Sequence, residues 1–323
     1  IRIQLLAGLT LATLAGFSTA QEAGWPNRPI KIVVGFAAGT PPDIFARLYG
    51  DYASKKLGVP VVIDNKPGAA GNLATDSVAK APADGYTFLY NLSTAFTINP
   101  FIYSKLPFDP QKDLVPVATT MRQGLVLITK PNLEAKSVKD LVAAAKAKPG
   151  TINFASAGQG SATHLNAEKF KMAAQIDALN IPFKGSAEAV TEVLAGRVDY
   201  YFSPIAPVIG QIKEGQLLAL AVGSPRRASA LPEVPTTAEA GVPGSEFNFW
   251  IGMMAPAKTP RDIVNRLHDE VVKALATPEV KERFLKLGAD AWTLKPEQFD
   301  AYIKDEIKAN AALVKAAGLQ VGN

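Results

Sequence analysis

Two glycine-bearing runs hold the residues best suited to chemistry. Ala37-Ala38-Gly39-Thr40-Pro41-Pro42-Asp43 follows one β-branched apolar run, and Gly158-Gln159-Gly160-Ser161-Ala162-Thr163-His164 follows another. Where a strand gives way to a helix, the helix start presents unpaired N–H groups and a partial positive charge, and ligands of open α/β sheets bind there. Around Gly39 and Thr40, and again around Gly160, Ser161 and Thr163, small hydroxyls stand beside such amides. The combination suits a carboxylate without a salt-bridging arginine, each helix end contributing roughly 0.3 to 1 kcal/mol. Facing one another across a cleft, the two turns would grip one small anion. Thr40 is expected as N-cap, Pro41 at the first helical position and Asp43 as the reciprocal capping residue. Phe36 and Phe202, at strand ends, are candidates for walling a ligand's apolar part.

Other chemistries are excluded by what is missing. The chain of 323 residues has no Cys and only two His, so thiolate nucleophiles and multi-histidine or cysteine metal sites are ruled out. No GKS or GKT element follows Ala37, Gly158-x-Gly160-x-x-Thr163 keeps two of the three dinucleotide glycines, and no G-x-S-x-G elbow is present. No cofactor and no metal are expected. Ser161 and His164 are an i, i+3 pair on one helix start, unlike a triad, so His164 reads as a hydrogen-bonding support and a secreted Ser/His hydrolase is the minor alternative. His268, within RDIVNRLHDEVVKAL, is expected to face solvent, and Trp25, Trp250 and Trp292 to pack in the core or at a hinge. The net charge of +5 is scattered along the chain, with no dense basic block, so no nucleic-acid partner is expected.

The elements that must position these turns alternate along the chain. Short apolar runs at 30–36, 59–64 and 86–92 are separated by helical patterns, a pattern of right-handed βαβ units. It restarts at 125–129 and continues with strands at 152–156, 178–183, 199–203 and 217–222, helices lying between. The Pro- and Gly-rich stretch 231–244 reads as a linker or return crossing, and three helical patterns at 261–276, 278–287 and 296–317 close the chain. The fold class is α/β, with two doubly wound domains. Domain 1 is discontinuous, residues 25–123 and 236–323, and domain 2 is residues 124–235. At the amino end, residues 1–20 (IRIQLLAGLTLATLAGFSTA) read as a secretory signal peptide cleaved after about Ala20, which implies export to a periplasm.

Longer segments carry a resemblance. WPNRPIKIVVGFAAGTPPDIFAR, NKPGAAGNLATDSVAKAPADGYT, NFASAGQGSATHL, PFKGSAEAVTEVLAGRVDYYFSP and LPEVPTTAEAGVPGSEFNFWIGMMAPAKTP together resemble the Bug (TctC-like) substrate-binding proteins of tripartite tricarboxylate transporters. The resemblance implies a periplasmic flytrap of type II-like architecture that captures a small organic carboxylate, such as an aliphatic or aromatic dicarboxylate like terephthalate, without catalysis. It implies delivery to membrane permease subunits, with docking on a sensor kinase as the alternative, by a protein acting as a monomer. Carried over residue by residue, the first turn is Phe36, Ala37, Ala38, Gly39, Thr40, Pro41 and Asp43. The second is Ala157, Gly158, Gly160, Ser161, Ala162, Thr163 and His164. Ser93 and Thr94 form a further polar loop, and Lys184-Gly185 with Ser203-Pro204 line the second domain's side. The family's first loop commonly reads Pro-Gly-Gly, whereas here it is Ala38-Gly39-Thr40 before two prolines, so another member's substrate does not transfer.

Overall fold

The computed structural model describes residues 24–131 and 135–319. The proposed signal peptide lies outside them. Among the described residues, no helix is long and apolar enough to cross a membrane.

The chain first builds β1 (Ile30–Val34), α1 (Pro41–Leu57), β2 (Val61–Asn65), α2 (Asn72–Ala79) and β3 (Thr87–Leu92), the expected βαβ order. Two short helices, α3 (Thr94–Thr97) and α4 (Asn99–Ile102), precede the long β4 (Leu114–Gly124). After one residue the chain enters β5 (Val126–Thr129), α5 (Val138–Ala147), β6 (Ile152–Ser156) and α6 (Ala162–Ala174). It continues through β7 (Ala178–Pro182), α7 (Ser186–Ala195), β8 (Tyr200–Ser203), α8 (Ile209–Lys213) and β9 (Leu218–Val222). β10 (Asn248–Pro256), α9 (Arg261–Ala276), α10 (Pro278–Lys286), β11 (Asp290–Ala291) and α11 (Pro296–Ala316) complete it.

Two sheets result, ordered β11-β4-β10-β3-β1-β2 and β7-β6-β8-β5-β9. Neither is wholly parallel. β1 pairs in parallel with β2 and β3, but β10 is inserted antiparallel between β3 and β4, and β5 is antiparallel to both β8 and β9. Each sheet is covered on both faces, as a doubly wound fold requires. Phe45 of α1, Val264 and Leu267 of α9 and Phe284 of α10 pack on one face of the first sheet, while Val78 of α2 and Phe299 of α11 cover the other. On the second sheet Leu141 and Phe170 of α5 and α6 cover one face, Val190 and Val193 of α7 the other.

The chain crosses between the lobes at two adjacent places. Gly124 ends β4 opposite Asn248, where β10 begins, and the Gly223 amide donates to the Leu125 carbonyl at 2.7 Å. Phe247 in turn donates its amide to the Gly223 carbonyl at 2.7 Å. The return was expected at residue 236, and this is revised. Thr236 bridges Val222, and Val242 lies in the core of the second sheet, so the stretch 231–244 packs on the second lobe and the chain leaves it only at Phe247. Gly124 and Ser224 meet so closely there that a Cβ on Gly124 would lie 2.4 Å from the Ser224 hydroxyl.

Two side-chain expectations also change. His268 is 8% exposed and its Nδ1 lies 3.1 Å from the Val117 carbonyl, because it shares the stripe of Val264, Leu267 and Val271 that packs on β4. Phe202 is wholly buried between Phe170 and Tyr200, so it fills the core and does not wall a cleft. Trp250 is fully buried, stacked on Phe96 and bonded through Nε1 to Glu306 at 2.7 Å. Trp25 donates its Nε1 proton to the Gly85 carbonyl, and Trp292 packs edge-on against Tyr302.

Candidate functional site

Strand direction decides which turns share an edge. Because β1 and β3 are parallel, the 36–43 turn and the Ser93-Thr94 loop emerge from the same carboxyl edge of the first sheet. Because β6 is parallel to β7 and β8, the 157–164 turn, Phe183 to Gly185 and Ser203-Pro204 share the carboxyl edge of the second. Both crossings leave from these same edges, since β5 starts beside Ser203 and β10 starts beside Gly124. The two edges therefore face each other across the hinge.

The second turn is a closed hydrogen-bonded unit. Ser161 caps α6, its hydroxyl accepting from the His164 amide at 3.3 Å while donating to the Gly158 carbonyl at 2.7 Å. Thr163 Oγ1 lies 2.9 Å from Ser161 Oγ and accepts the Ala157 amide proton at 2.8 Å. Gly160, at φ +76°, occupies the left-handed region that glycine tolerates, and its amide donates to His164 Nδ1 at 3.1 Å. Ala162 and Thr163, as the first residues of α6, have no intrahelical acceptor for their N–H groups, which makes this helix start the anion-directed end. A Cβ on Gly160 would lie 3.9 Å from Ile102 Cδ1, so the turn sits against α4 of the other lobe.

Behind this turn lies a second layer of polar groups. His164 Nε2 is 3.6 Å from Glu168 Oε1, and Lys171 Nζ is 2.7 Å from Glu168 Oε2. Burial pushes the Glu168 carboxyl up, but the bonds from His164 and Lys171 outweigh it and hold the group below the usual range. Tyr201 donates to Ser186 Oγ at 3.0 Å, and burial raises its phenol above the ordinary value. Ser161 Oγ is not paired with the imidazole, whose Nδ1 faces the Gly160 amide and whose Nε2 faces Glu168. Ser161 and His164 therefore make no nucleophile–base contact in this turn.

The first turn is built differently from expectation. Thr40 precedes α1 but makes no side-chain cap; its hydroxyl donates to the Ala37 carbonyl at 2.7 Å. Asp43 reaches back instead to the Gly39 amide at 2.9 Å, and is itself gripped by Asn65 and Arg47. Burial pushes the Asp43 carboxyl up, while hydrogen bonds from Arg47, Gly39 and Asn65 prevail and keep it below the ordinary value. Asn65 also donates to the Phe36 carbonyl at 2.9 Å, locking the strand end to the turn. Ala37, Ala38 and Gly39 are exposed, Phe36 is half-buried, and Pro41 opens α1.

The remaining predicted residues divide. Lys184 is exposed, its amide donating to Glu188, and Gly185 precedes α7 in extended backbone. Ser203 is buried and donates to the Pro204 carbonyl at 2.8 Å, so its hydroxyl is spent locally. Ser93 is buried beside Trp250, to whose carbonyl its amide donates at 2.8 Å, while Thr94 opens α3. Ser93 borders a cavity of about 260 Å³ between the lobes, lined also by Thr97, Lys169, Phe247, Glu306 and Asn310. Lys169 and Glu306, which the sequence reading did not single out, come from α6 and α11. Burial pushes the Lys169 ammonium down and the Glu306 carboxyl up, the latter accepting from Trp250 and Tyr302. Arg47 and Asn65 were also not singled out; the i, i+4 spacing of Asp43 and Arg47 was the available signal.

Comparison with known proteins agrees with this architecture. The model of the tripartite tricarboxylate transporter family receptor matches residues 13–319. Protein BugT of Bordetella pertussis is 35% identical over 321 residues, covering 99% of this chain and 98% of that one. Among solved structures, Rpa4515 of R. palustris with adipate is 32% identical with a TM-score of 0.76, over 92% of this chain and 99% of that one. MatC of Rhodopseudomonas palustris with bound malate is 31% identical with a TM-score of 0.71, over 90% of this chain and all of the other. With the family model covering most of its length and both lobes built as described, the chain belongs to the tripartite tricarboxylate transporter receptor family, the Bug/TctC-like substrate-binding proteins.

Proposed function

We propose that this receptor captures a small dicarboxylate between its two facing sheet edges and delivers it to the membrane subunits of a tripartite transporter. The observation that carries the reading is the start of α6. Ser161 and Thr163 tie the turn into one unit, leaving the first helical amides without an intrahelical acceptor at the carboxyl edge of the second sheet. A carboxylate there gains from both the amides and the helix dipole. Relatives at 32% and 31% identity are seen with adipate and with malate, two dicarboxylates, which supports this ligand class. The ligand site we assign comprises the 157–164 turn, with the 36–43 turn, Ser93-Thr94 and Lys184-Gly185 opposite or beside it. The lobes close about the paired crossings at Gly124–Leu125 and Gly223–Phe247, and the protein carries out no covalent chemistry.

A thermal-shift screen of residues 21–323 tests this, using malate, adipate, terephthalate, tricarboxylates and amino acids after partial unfolding to strip bound solute. A ligand that binds only the native state raises the melting temperature by mass action. A saturable shift with dicarboxylates supports the reading; a shift with amino acids alone, or none with any carboxylate, overturns it.

A further inference from the structure

We propose that His164 is the positioning residue of the second turn and makes that turn acid-labile, its shape persisting only while imidazole Nδ1 carries no proton. The proposal rests on the 157–164 turn being the ligand site. Its structural core is one bond: the Gly160 amide donates to His164 Nδ1 at 3.1 Å. An accepting ring nitrogen is unprotonated, so the neutral ring must carry its proton on Nε2. That nitrogen faces Glu168 Oε1 at 3.6 Å.

A second proton has a definite place to go and a definite bond to break. On Nδ1 it would point one N–H at another, replacing the Gly160 bond by repulsion. The charge created would lie beside Glu168, which is already shared with Lys171. Phe154 of β6 stacks on the imidazole, with 6.1 Å between ring centroids. Tyr200 of β8 stacks behind Phe154, and its buried phenol is pushed far up by burial, with Glu168 and Asp199 adding to the effect. From the other lobe, apolar Ile102 is the neighbour of Gly160.

Release of Gly160 would reach the ligand-facing groups directly. Ser161 follows it in the chain, and the Ser161 hydroxyl is held by Gly158, Thr163 and the His164 amide. Ligand binding, which needs the ordered turn, is therefore coupled to the loss of a proton at this ring, and acidification weakens the grip.

The test needs no ligand, so its failure and the failure of the carboxylate reading are separable. In the isotopically labelled mature chain, the ring nitrogens of His164 and the Gly160 amide are followed from about pH 8 to pH 5, where histidine changes charge. At the upper end the ring is expected to carry its proton on Nε2. When the second nitrogen takes up a proton, Gly160 is expected to lose about tenfold protection from hydrogen exchange, the worth of one hydrogen bond. His164→Asn keeps an acceptor near Nδ1 without a titrating charge, and its Gly160 protection should be independent of pH. A ring that stays neutral throughout, a proton on Nδ1 at pH 8, a Gly160 amide that does not respond as the ring charges, or a His164→Asn chain that follows the wild type would each overturn the proposal.

Discussion

Asp43 Oδ2 accepts the amide proton of Gly39 at 2.9 Å, so the first turn carries an anion of its own. The two turns are consequently unequal. The carboxylate of Asp43 occupies part of what the 36–43 turn would offer a ligand, whereas the turn at the start of α6 is held by the Ser161 and Thr163 hydroxyls and the His164 ring, with no carboxylate bonded to its amides.

Replacing Asp43 by Ala should lower stability at neutral pH by about 2 kcal/mol, since hydrogen bonds to charged groups are worth roughly 1.5 to 3 kcal/mol. The carboxyl sits below its ordinary value in the fold, so its contribution is complete above the unfolded-state value and disappears as pH falls through the folded one. Urea titrations across the acid range should show that loss in the wild type and a flatter profile in D43A.

Ser161→Ala removes the cap of α6 and should cost about 1 kcal/mol of stability. Its effect on ligand should exceed its effect on folding, because the same hydroxyl ties Gly158, Thr163 and the His164 amide together. Titration calorimetry with whichever carboxylate gives the largest thermal shift is expected to show at least a tenfold loss of affinity, while S161F abolishes binding and keeps the native circular dichroism. Unaltered affinity in S161F would remove the turn from the site.

Glu306 is expected to behave in the opposite sense to Asp43. Burial holds its carboxyl above the ordinary value against the hydrogen bonds from Tyr302 and Trp250, so the folded chain binds the proton more tightly than the unfolded one. That favours the fold below the unfolded-state value, and the benefit is lost as pH rises through the folded one. Glu306→Gln removes the charge, its amide oxygen accepting from Trp250 and its NH2 donating to the Tyr302 hydroxyl. The stability of E306Q relative to wild type should therefore increase from acid to neutral pH in parallel denaturation series, and a constant difference would contradict the assignment.

At the hinge, a Cβ on Gly223 would lie 2.4 Å from Asn166 Oδ1. Overpacking of this kind costs about 1 to 3 kcal/mol, and here it falls where both crossings meet. Gly223→Ala should lower the melting temperature and shift the radius of gyration measured by X-ray scattering. Adding Asn166→Ala should restore both; failure of the second change to rescue the first would place the strain elsewhere.

The sequence was informative where local rules and global fold agree. Apolar β-branched runs such as Ile30–Val34, followed by a Gly and Pro turn and a helix, read correctly because each βαβ unit is written within about 30 residues. The central strands of the first sheet did not. β4 is broken by Pro116 and ends in Arg122 and Gln123, and β10, though apolar from Phe249 to Ala255, is interrupted by Gly252 and has register shifts after Ile251 and Met253. Their pairing is antiparallel and long-range, which no local pattern announces. His268 was misplaced because a polar residue in the apolar stripe reads as solvent-facing, although its Nδ1 finds the Val117 carbonyl. At the candidate site, the placement of the glycines and hydroxyls at two strand-to-helix turns was legible from type and spacing. The Asp43–Gly39 bond and the His164–Gly160 bond were not, since each depends on a side chain folding back over its own helix start.

The paired crossings have an architectural corollary. Residues 125–247 form one stretch of sequence whose two ends are stitched through Gly223, which donates its amide proton to the Leu125 carbonyl and accepts the Phe247 amide proton at its own carbonyl. The second lobe is thus a cassette inserted into the first, entering and leaving through one narrow doorway. Exchange of that stretch between relatives would transplant one jaw of the receptor intact, and an optical reporter spliced beside the doorway would read jaw movement at its fulcrum.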